Sequence, residues 1–360
     1  MDNRRNLLVT LANEKYIPQA RQLFSSVYWN AGWDGDYLLL AHEIPEEKLG
    51  WFKEKGILIK NCQLLLEVGY GLKMEFSPLI YDKYYLFTEE FKKWKHIIYL
   101  DSDIIVKGPL DRLTQIKTFG AARNLYYGKL FHEFHNPQNN QINGISYDLD
   151  TTSLNGGFFS FNTDIITPGL FDEMKNFLSN HVREFVMGEQ TALNIHFYKK
   201  WEKFPLIFSV FPTGPNFKSF RIPKRLKFVA IHYIVTGETK YPLWNPQNPY
   251  FKEWETNLAK AEEIDLKQVQ HIKPWSSFKI RYYSAILKLY VYFFRIRHSL
   301  LLFHIKFFFT QKVKFFFTHT IKIFILRFFQ LLTGSPERLM GFIGKLLKKY
   351  VPSLFYKLKK

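Results

Sequence analysis

Short apolar runs alternate with helical stretches through the first hundred residues, and this alternation restricts the fold more than any other feature of the chain. Leu7–Leu11 reads as a buried strand. Gln19–Trp29 follows with Ala20, Leu23, Phe24 and Val27 at helical spacing. Asp36–Ala41 is a second strand, and Glu46–Lys55 a helix that starts behind Pro45 and ends at Gly56. Ile57–Ile59 is a third strand, and Ser77–Phe91 a helix with Pro78 in its first turn. His96–Leu100 is a strand that runs straight into Asp101-Ser102-Asp103. Further on, Leu154–Asn162 and Phe228–Tyr233 read as strands, and Phe171–Phe185 and Glu189–Tyr198 as helices. The pattern predicts an α/β domain: a mixed, mainly parallel central sheet flanked by helices. Ligands of such sheets bind beyond the carboxyl ends of the strands. Tyr126–Ser153, rich in Asn, Gln, Gly and Asp, predicts a long loop, either functional or a plain surface insertion.

Charge divides the chain. From Lys267 to Lys360 there are 19 Lys and Arg and one acid, Glu337, which accounts for the whole net charge of +18. Residues 1–266 are therefore neutral, and a protein basic throughout is excluded. The basic part carries runs of Phe broken by single bases, such as Lys306-Phe-Phe-Phe309 and Lys314-Phe-Phe-Phe317. No stretch of it reaches 18 residues without a charge, which disfavours a spanning helix and fits an interfacial one. Gly334-Ser335-Pro336 breaks the pattern before a second amphipathic helix, Glu337–Tyr350. The reading is a catalytic domain over 1–275 and a basic, aromatic-rich amphipathic tail over 276–360 that binds an anionic membrane surface. The alternative is that its apolar face packs on the domain or on another tail. Nucleic acid is set aside, because base stacking does not call for three-Phe clusters. Cys62 is the sole cysteine, so no intramolecular disulfide framework exists. No apolar signal-peptide core follows Arg4-Arg5, and the expected compartment is the cytoplasm, at the inner face of the membrane.

Asp101 and Asp103 lie two residues apart after an apolar strand, so in extended backbone both carboxylates point to one side. Two carboxylates this close repel unless a cation lies between them, and hard oxygen ligands suit Mg²⁺ or Mn²⁺. His232 closes another strand, and an imidazole in the ligand set tilts the choice towards Mn²⁺. Gly237 and Lys240 follow, a glycine for close backbone approach and a point charge for phosphate.

These residues resemble glycosyltransferase family 8, which includes glycogenin and bacterial lipopolysaccharide galactosyl- and glucosyltransferases. The motifs in order are Thr10-Leu-Ala-Asn-Glu-Lys-Tyr16, Lys83, Tyr99-Leu-Asp-Ser-Asp103, Asn155-Gly-Gly157, Glu189-Gln190 and His232…Gly237…Lys240-Tyr-Pro-Leu-Trp244. They span roughly residues 5–245. The resemblance implies a GT-A type fold, a UDP-sugar donor, Mn²⁺ (Mg²⁺ as the alternative) and transfer with retention at the anomeric carbon. It implies that Thr10, Ala12, Asn13 and Tyr16 hold uridine, that Lys83 contacts the donor, and that Asp101, Asp103 and His232 ligate the metal, with Ser102 between the two acids. Asn155 and Gly156 would line the sugar, and Gly237 and Lys240 would clasp the diphosphate. Glu189-Gln190 stands where the family has Asp-Gln, which places Glu189 near the anomeric carbon as nucleophile or electrostatic stabiliser. The His-to-Trp motif is spread here, and a second Lys-Pro-Trp occurs at Lys273-Pro274-Trp275.

The function expected from this is transfer of a hexose, galactose or glucose, to a glycan or lipid-linked acceptor in lipopolysaccharide or surface-glycan synthesis. Two alternatives remain at this point: a self-glucosylating primer like glycogenin, and a non-enzymatic membrane-bound scaffold whose mark would be a lost metal ligand.

Overall fold

A computed structural model describes residues 3–66, 78–124, 128–136, 141–142, 144–212, 222, 225–233 and 241–307, with side chains described as far as 292. Eleven strands and six α-helices are formed by these residues. In chain order they are β1 (Leu7–Ala12), α1 (Ile17–Ala31), β2 (Asp36–His42), α2 (Gly50–Glu54), β3 (Leu58–Cys62), β4 (His96–Leu100), β5 (Ile104–Val106), β6 (Phe119–Arg123), β7 (Gln141–Ile142) and β8 (Ile145–Ser146). There follow β9 (Leu154–Asn162), α3 (Leu170–His181), α4 (Glu189–His196), β10 (Trp201–Lys203), β11 (Ala230–His232), α5 (Phe251–Ala259) and α6 (Ser277–Phe307).

The main sheet has seven strands in the order β10-β6-β9-β4-β1-β2-β3. β1 pairs parallel with β2 and β4, β2 with β3, and β6 with β10. β9 runs antiparallel between β4 and β6. The expected mixed, mainly parallel sheet flanked by helices is what forms. Its central strands are buried on both faces, so they read as continuous apolar runs rather than alternating ones. Leu8, Leu39 and Ile98 share one buried cluster with Leu23, Phe24 and Val27 of α1, and Val9 shares the other with the aromatic Tyr99, Phe159 and Phe161. A separate antiparallel pair, β5 with β11, lies at the ligand end.

The sequence reading differs from the structure most at Ser77–Phe91, expected as an α-helix. Pro78–Phe87 and Glu89–Lys93 instead form 3₁₀ turns. Tyr81, Tyr84 and Phe87 are all buried. That three-residue spacing stacks side chains on one face of a 3₁₀ turn, whereas an α-helix would splay them. Gly56 ends the α2 region at φ +76°, a conformation glycine adopts without strain. The helix before it is shorter than expected and is preceded by a 3₁₀ turn at Glu46–Lys48. The Tyr126–Ser153 segment contributes a 3₁₀ turn at Leu130–Glu133 and the small β7–β8 hairpin.

A compact unit runs from Met1 to Phe294. It includes the first turns of α6, where Ile280, Ser284 and Leu287 are buried. This core-packing part of the helix lies beyond residue 275, where the sequence reading starts the tail. Among the described residues no helix is long and apolar enough to cross a membrane. The expected helix Glu337–Tyr350 lies outside the described residues.

Candidate active site

Two strand pairings assemble the centre. β4 ends at Leu100, and the Asp101 N–H donates to the Gly157 carbonyl on β9 at 2.9 Å. β11 pairs with β5 so that His232 faces Ile104, the residue after Asp103. Residues far apart in sequence thus converge where β4 ends. His232 Nε2 lies 3.2 Å from Asp103 Oδ1 and 3.8 Å from Asp101 Oδ2. Among the described residues this is the one group of three acid, His or Cys side chains able to hold a metal ion, with all ligand atoms within 4.8 Å of one another.

The donor set fits a divalent cation. Asp103 Oδ1 and His232 Nδ1 are buried and have no hydrogen-bond partner among the described residues. An orphaned carboxylate oxygen facing an imidazole is costly without a cation to satisfy it. Two carboxylates and one imidazole suit Mn²⁺, with Mg²⁺ next. Gly157 makes the arrangement possible: a Cβ there would stand 2.6 Å from His232 Cε1 and 2.8 Å from Asp101 Cγ.

Behind the cluster lies a buried charge network. Lys83 Nζ is 3.1 Å from Asp101 Oδ1 and 3.0 Å from Glu189 Oε1, and it donates to the Gly156 carbonyl at 3.2 Å. Burial alone would lower the Lys83 pKa, but Asp101 and Glu189 hold it well above the usual lysine range. Burial raises the Glu189 carboxyl, against the pull of Lys83. The Tyr99 hydroxyl donates to Asp101 Oδ1 at 2.7 Å, so this carboxylate is fixed by a phenol and an ammonium together. Tyr84 donates its hydroxyl proton to the Glu189 carbonyl at 3.2 Å, which fixes the first turn of α4.

Gln190 joins this turn to β9. Its Oε1 accepts from the Gly156 N–H at 2.9 Å and from Asn155 Nδ2 at 3.2 Å. Gly156 is closely packed: an added Cβ would stand 3.1 Å from Gln190 Cβ and 3.2 Å from Glu189 Oε1. Asn155, Gly156, Glu189 and Gln190 therefore form one wall beside the three ligands.

At the end of β1, Thr10 is buried and its hydroxyl donates to the Leu100 carbonyl at 2.7 Å, tying β1 to the strand that carries the acids. Ala12 is buried at the strand end, and Asn13 caps the next turn by accepting from the Lys15 N–H. Tyr16 is half-exposed, edge-on to Trp244 at 5.9 Å between ring centres. Ser102 is buried between the acids. Gly237 and Lys240 lie outside the described residues. The structure thus gathers Lys83, Asp101, Asp103, Asn155, Gly156, Glu189, Gln190 and His232 around one point. Tyr99 and Gly157, from the same motifs, join them through Asp101, and Trp244 stands beside Tyr16. Tyr99 was open to the same alternation argument as the acids, since residues 99, 101 and 103 share a face. The buried Glu133, described below, has no comparable signal because it lies in irregular chain.

The glycosyl transferase family 8 model matches residues 8–245. No curated protein sequence matches the chain at a significant level. Among solved structures, GlyE of Streptococcus pneumoniae TIGR4 is similar at TM-score 0.51 and 18% identity, covering 75% of this chain and 66% of GlyE. The bifunctional glycosyltransferase WbbM is similar at TM-score 0.51 and 15% identity over 74% of this chain and 52% of its own. LgtC, a galactosyltransferase whose structure holds donor and acceptor sugar analogues, gives TM-score 0.52 and 16% identity over 74% and 98%. The chain thus spans just under two thirds of GlyE and about half of WbbM. At these identities the likeness is one of fold.

Proposed function

This chain belongs to glycosyl transferase family 8, and from that premise we propose that it is a metal-dependent, retaining hexosyltransferase acting on a UDP-sugar. The observation that carries the reading is the Asp101–Asp103–His232 cluster, in which His232 Nε2 faces both acids and the buried Asp103 Oδ1 has no hydrogen-bond partner among the described residues. In this reading a divalent cation held by those three side chains, Mn²⁺ before Mg²⁺, offsets the negative charge of the leaving diphosphate.

The remaining steps belong to the chain. Thr10, Ala12, Asn13 and Tyr16 seat the uridine at the end of β1. Ser102, Gly237 and Lys240 complete the diphosphate contacts. Asn155 and Gly156 line the sugar, and the bare Gly156 backbone allows close approach. Lys83 lies between Asp101 and Glu189, so the Glu189 carboxyl is paired with an ammonium in a buried wall beside the anomeric carbon. There the carboxylate stabilises positive charge or attacks as a nucleophile. Gln190 holds Gly156 at a fixed distance from it.

The hexose is galactose or glucose and the acceptor a glycan or lipid-linked glycan, in lipopolysaccharide or surface-glycan synthesis. The basic tail supports work at the inner face of a membrane, with anionic lipid as its partner. A scaffold that had kept only the fold would have lost a ligand, and here the ligand set is complete.

The test is Asp103→Ala. It should abolish Mn²⁺-dependent UDP binding and lower UDP-sugar hydrolysis by about 10³-fold while circular dichroism stays unchanged. Full wild-type activity in EDTA would refute the reading, and a β-linked product by NMR of the new anomeric proton would refute retention.

A further inference from the structure

Glu133 is fully buried, in the 3₁₀ turn that precedes Phe134, and among the described residues it makes no ion pair. Its partners are neutral donors. Asn124 Nδ2 donates to Oε1 at 3.0 Å. Gln190 Nε2 donates to Oε1 at 2.9 Å and to Oε2 at 3.2 Å. Thr191 Oγ1 donates to Oε2 at 3.0 Å. Its backbone carbonyl also accepts from the Val186 N–H at 2.8 Å, just ahead of α4. A buried carboxyl without a cation is an expensive choice for a purely structural position, where an apolar residue packs as well.

Its placement gives the choice a purpose. An amide has a donor end and an acceptor end, and which end faces which neighbour is set by its partners. Glu133 presents only acceptors to Gln190 Nε2. That forces Gln190 Oε1 towards the Gly156 N–H and Asn155 Nδ2. The links continue: the Gly157 N–H donates to Asn155 Oδ1 at 3.2 Å, and the Asp101 N–H to the Gly157 carbonyl. Without Glu133 the Gln190 amide is free to turn and set its NH₂ against the Gly156 N–H, donor against donor.

We propose that Glu133 is a positioning residue for the transfer reaction, acting through the Gln190 amide to fix the Asn155–Gly156 wall; this rests on the transferase reading above. What matters is an acceptor oxygen at the Oε1 position, not the charge. When the carboxyl is protonated, Oε2–H donates to Thr191 Oγ1, whose own proton goes to the Glu133 carbonyl 3.2 Å away. Oε1 still accepts from both amides. Glu133→Gln keeps the Oε1 acceptor for both amides and a donor to Thr191, losing only the longer bond from Gln190 Nε2 to Oε2, whereas Glu133→Asp keeps the charge but withdraws the oxygen by one methylene.

The test measures UDP-sugar hydrolysis and native-state amide exchange on the full chain. Glu133→Asp should lower kcat by about tenfold or more, with donor KM within about threefold, because a displaced wall costs orientation rather than binding. Glu133→Gln should stay within about threefold of the wild type in both. In a Gln190→Ala background, Glu133→Asp should cost nothing further. Exchange at the Gly156 N–H should quicken by about tenfold in Glu133→Asp and stay unchanged in Glu133→Gln. Three results would overturn the proposal: Gln losing as much as Asp, a cost that persists without the Gln190 amide, or an unmoved Gly156 exchange rate in Glu133→Asp. If the wild type hydrolyses no UDP-sugar but Gly156 exchange responds as expected, the hydrogen-bond chain stands and the transferase reading falls.

Discussion

Gly157→Ala should dismantle the ligand cluster while sparing the sheet. Gly157 does not have a positive φ, so alanine fits its backbone, and the penalty falls on the neighbouring side chains. A Cβ would stand 2.8 Å from Asp101 Cγ and 2.6 Å from His232 Cε1. Carbon atoms pack at about 3.5–4.0 Å, so each group must retreat by roughly 1 Å. Overpacking of this size costs about 1–3 kcal/mol of stability. Metal–ligand distances tolerate about 0.2 Å, so the same retreat removes Asp101 or His232 from the coordination sphere. Mn²⁺-dependent UDP binding should weaken by about 10²-fold or more, on the scale of a lost ligand contact. Calorimetric titration of Mn²⁺ in the presence of UDP measures this, with thermal unfolding run alongside. Gly169→Ala is the control. Its Cβ would meet nothing within 4 Å, but φ is +81°. It should cost about 1–2 kcal/mol of stability and leave binding unchanged. If Gly157→Ala binds Mn²⁺ and UDP within threefold of the wild type, the three side chains do not form the metal site.

The other expectations follow from burial. Burial raises the Glu133 carboxyl to about 7, against the hydrogen bonds of Gln190, Asn124 and Thr191, with no charged group facing it among the described residues. The folded state then holds a proton that the unfolded state has lost. Glu133 therefore contributes stability that is full below about pH 4.5 and is lost as pH rises through about 7, up to roughly 3 kcal/mol; urea titrations at pH 5 and 8 should show this loss in the wild type and not in Glu133→Gln. Glu189→Gln should lower turnover by about 10²-fold and donor KM by much less, and an unchanged turnover would reduce Glu189 to a helix-end acid. A chain cut after Phe294 keeps the burial of Ile280 and Leu287, whereas a cut after Trp275 should lose about 4 kcal/mol, seen as a lower urea midpoint. Equal midpoints would mean that the first turns of α6 are not part of the core.

The sequence by itself determined five of the seven strands of the sheet, without β6 and β10, and half of the centre. Strands buried on both faces read as continuous apolar runs, so β1, β2, β4 and β9 were legible. The two-residue repeat of extended chain was enough to put Asp101 and Asp103 on one side. Local rules stop at the reach of a few residues. That His232 comes to Asp103 depends on β11 pairing with β5 across more than a hundred residues of chain. The motif order implied that meeting, but only the register decides it. Ser77–Phe91 misled because the same aromatic run serves an α-helix or a 3₁₀ turn, and packing against Phe161 and Phe197 chose the latter. Lys83 reads as a surface lysine until Asp101 and Glu189 are placed on either side of it. Glu133 reads as one more acid in a polar loop. Its role exists only because that loop returns against α4 and closes water out, and a carboxyl's neighbours in space, unlike its neighbours in sequence, are set by the tertiary fold.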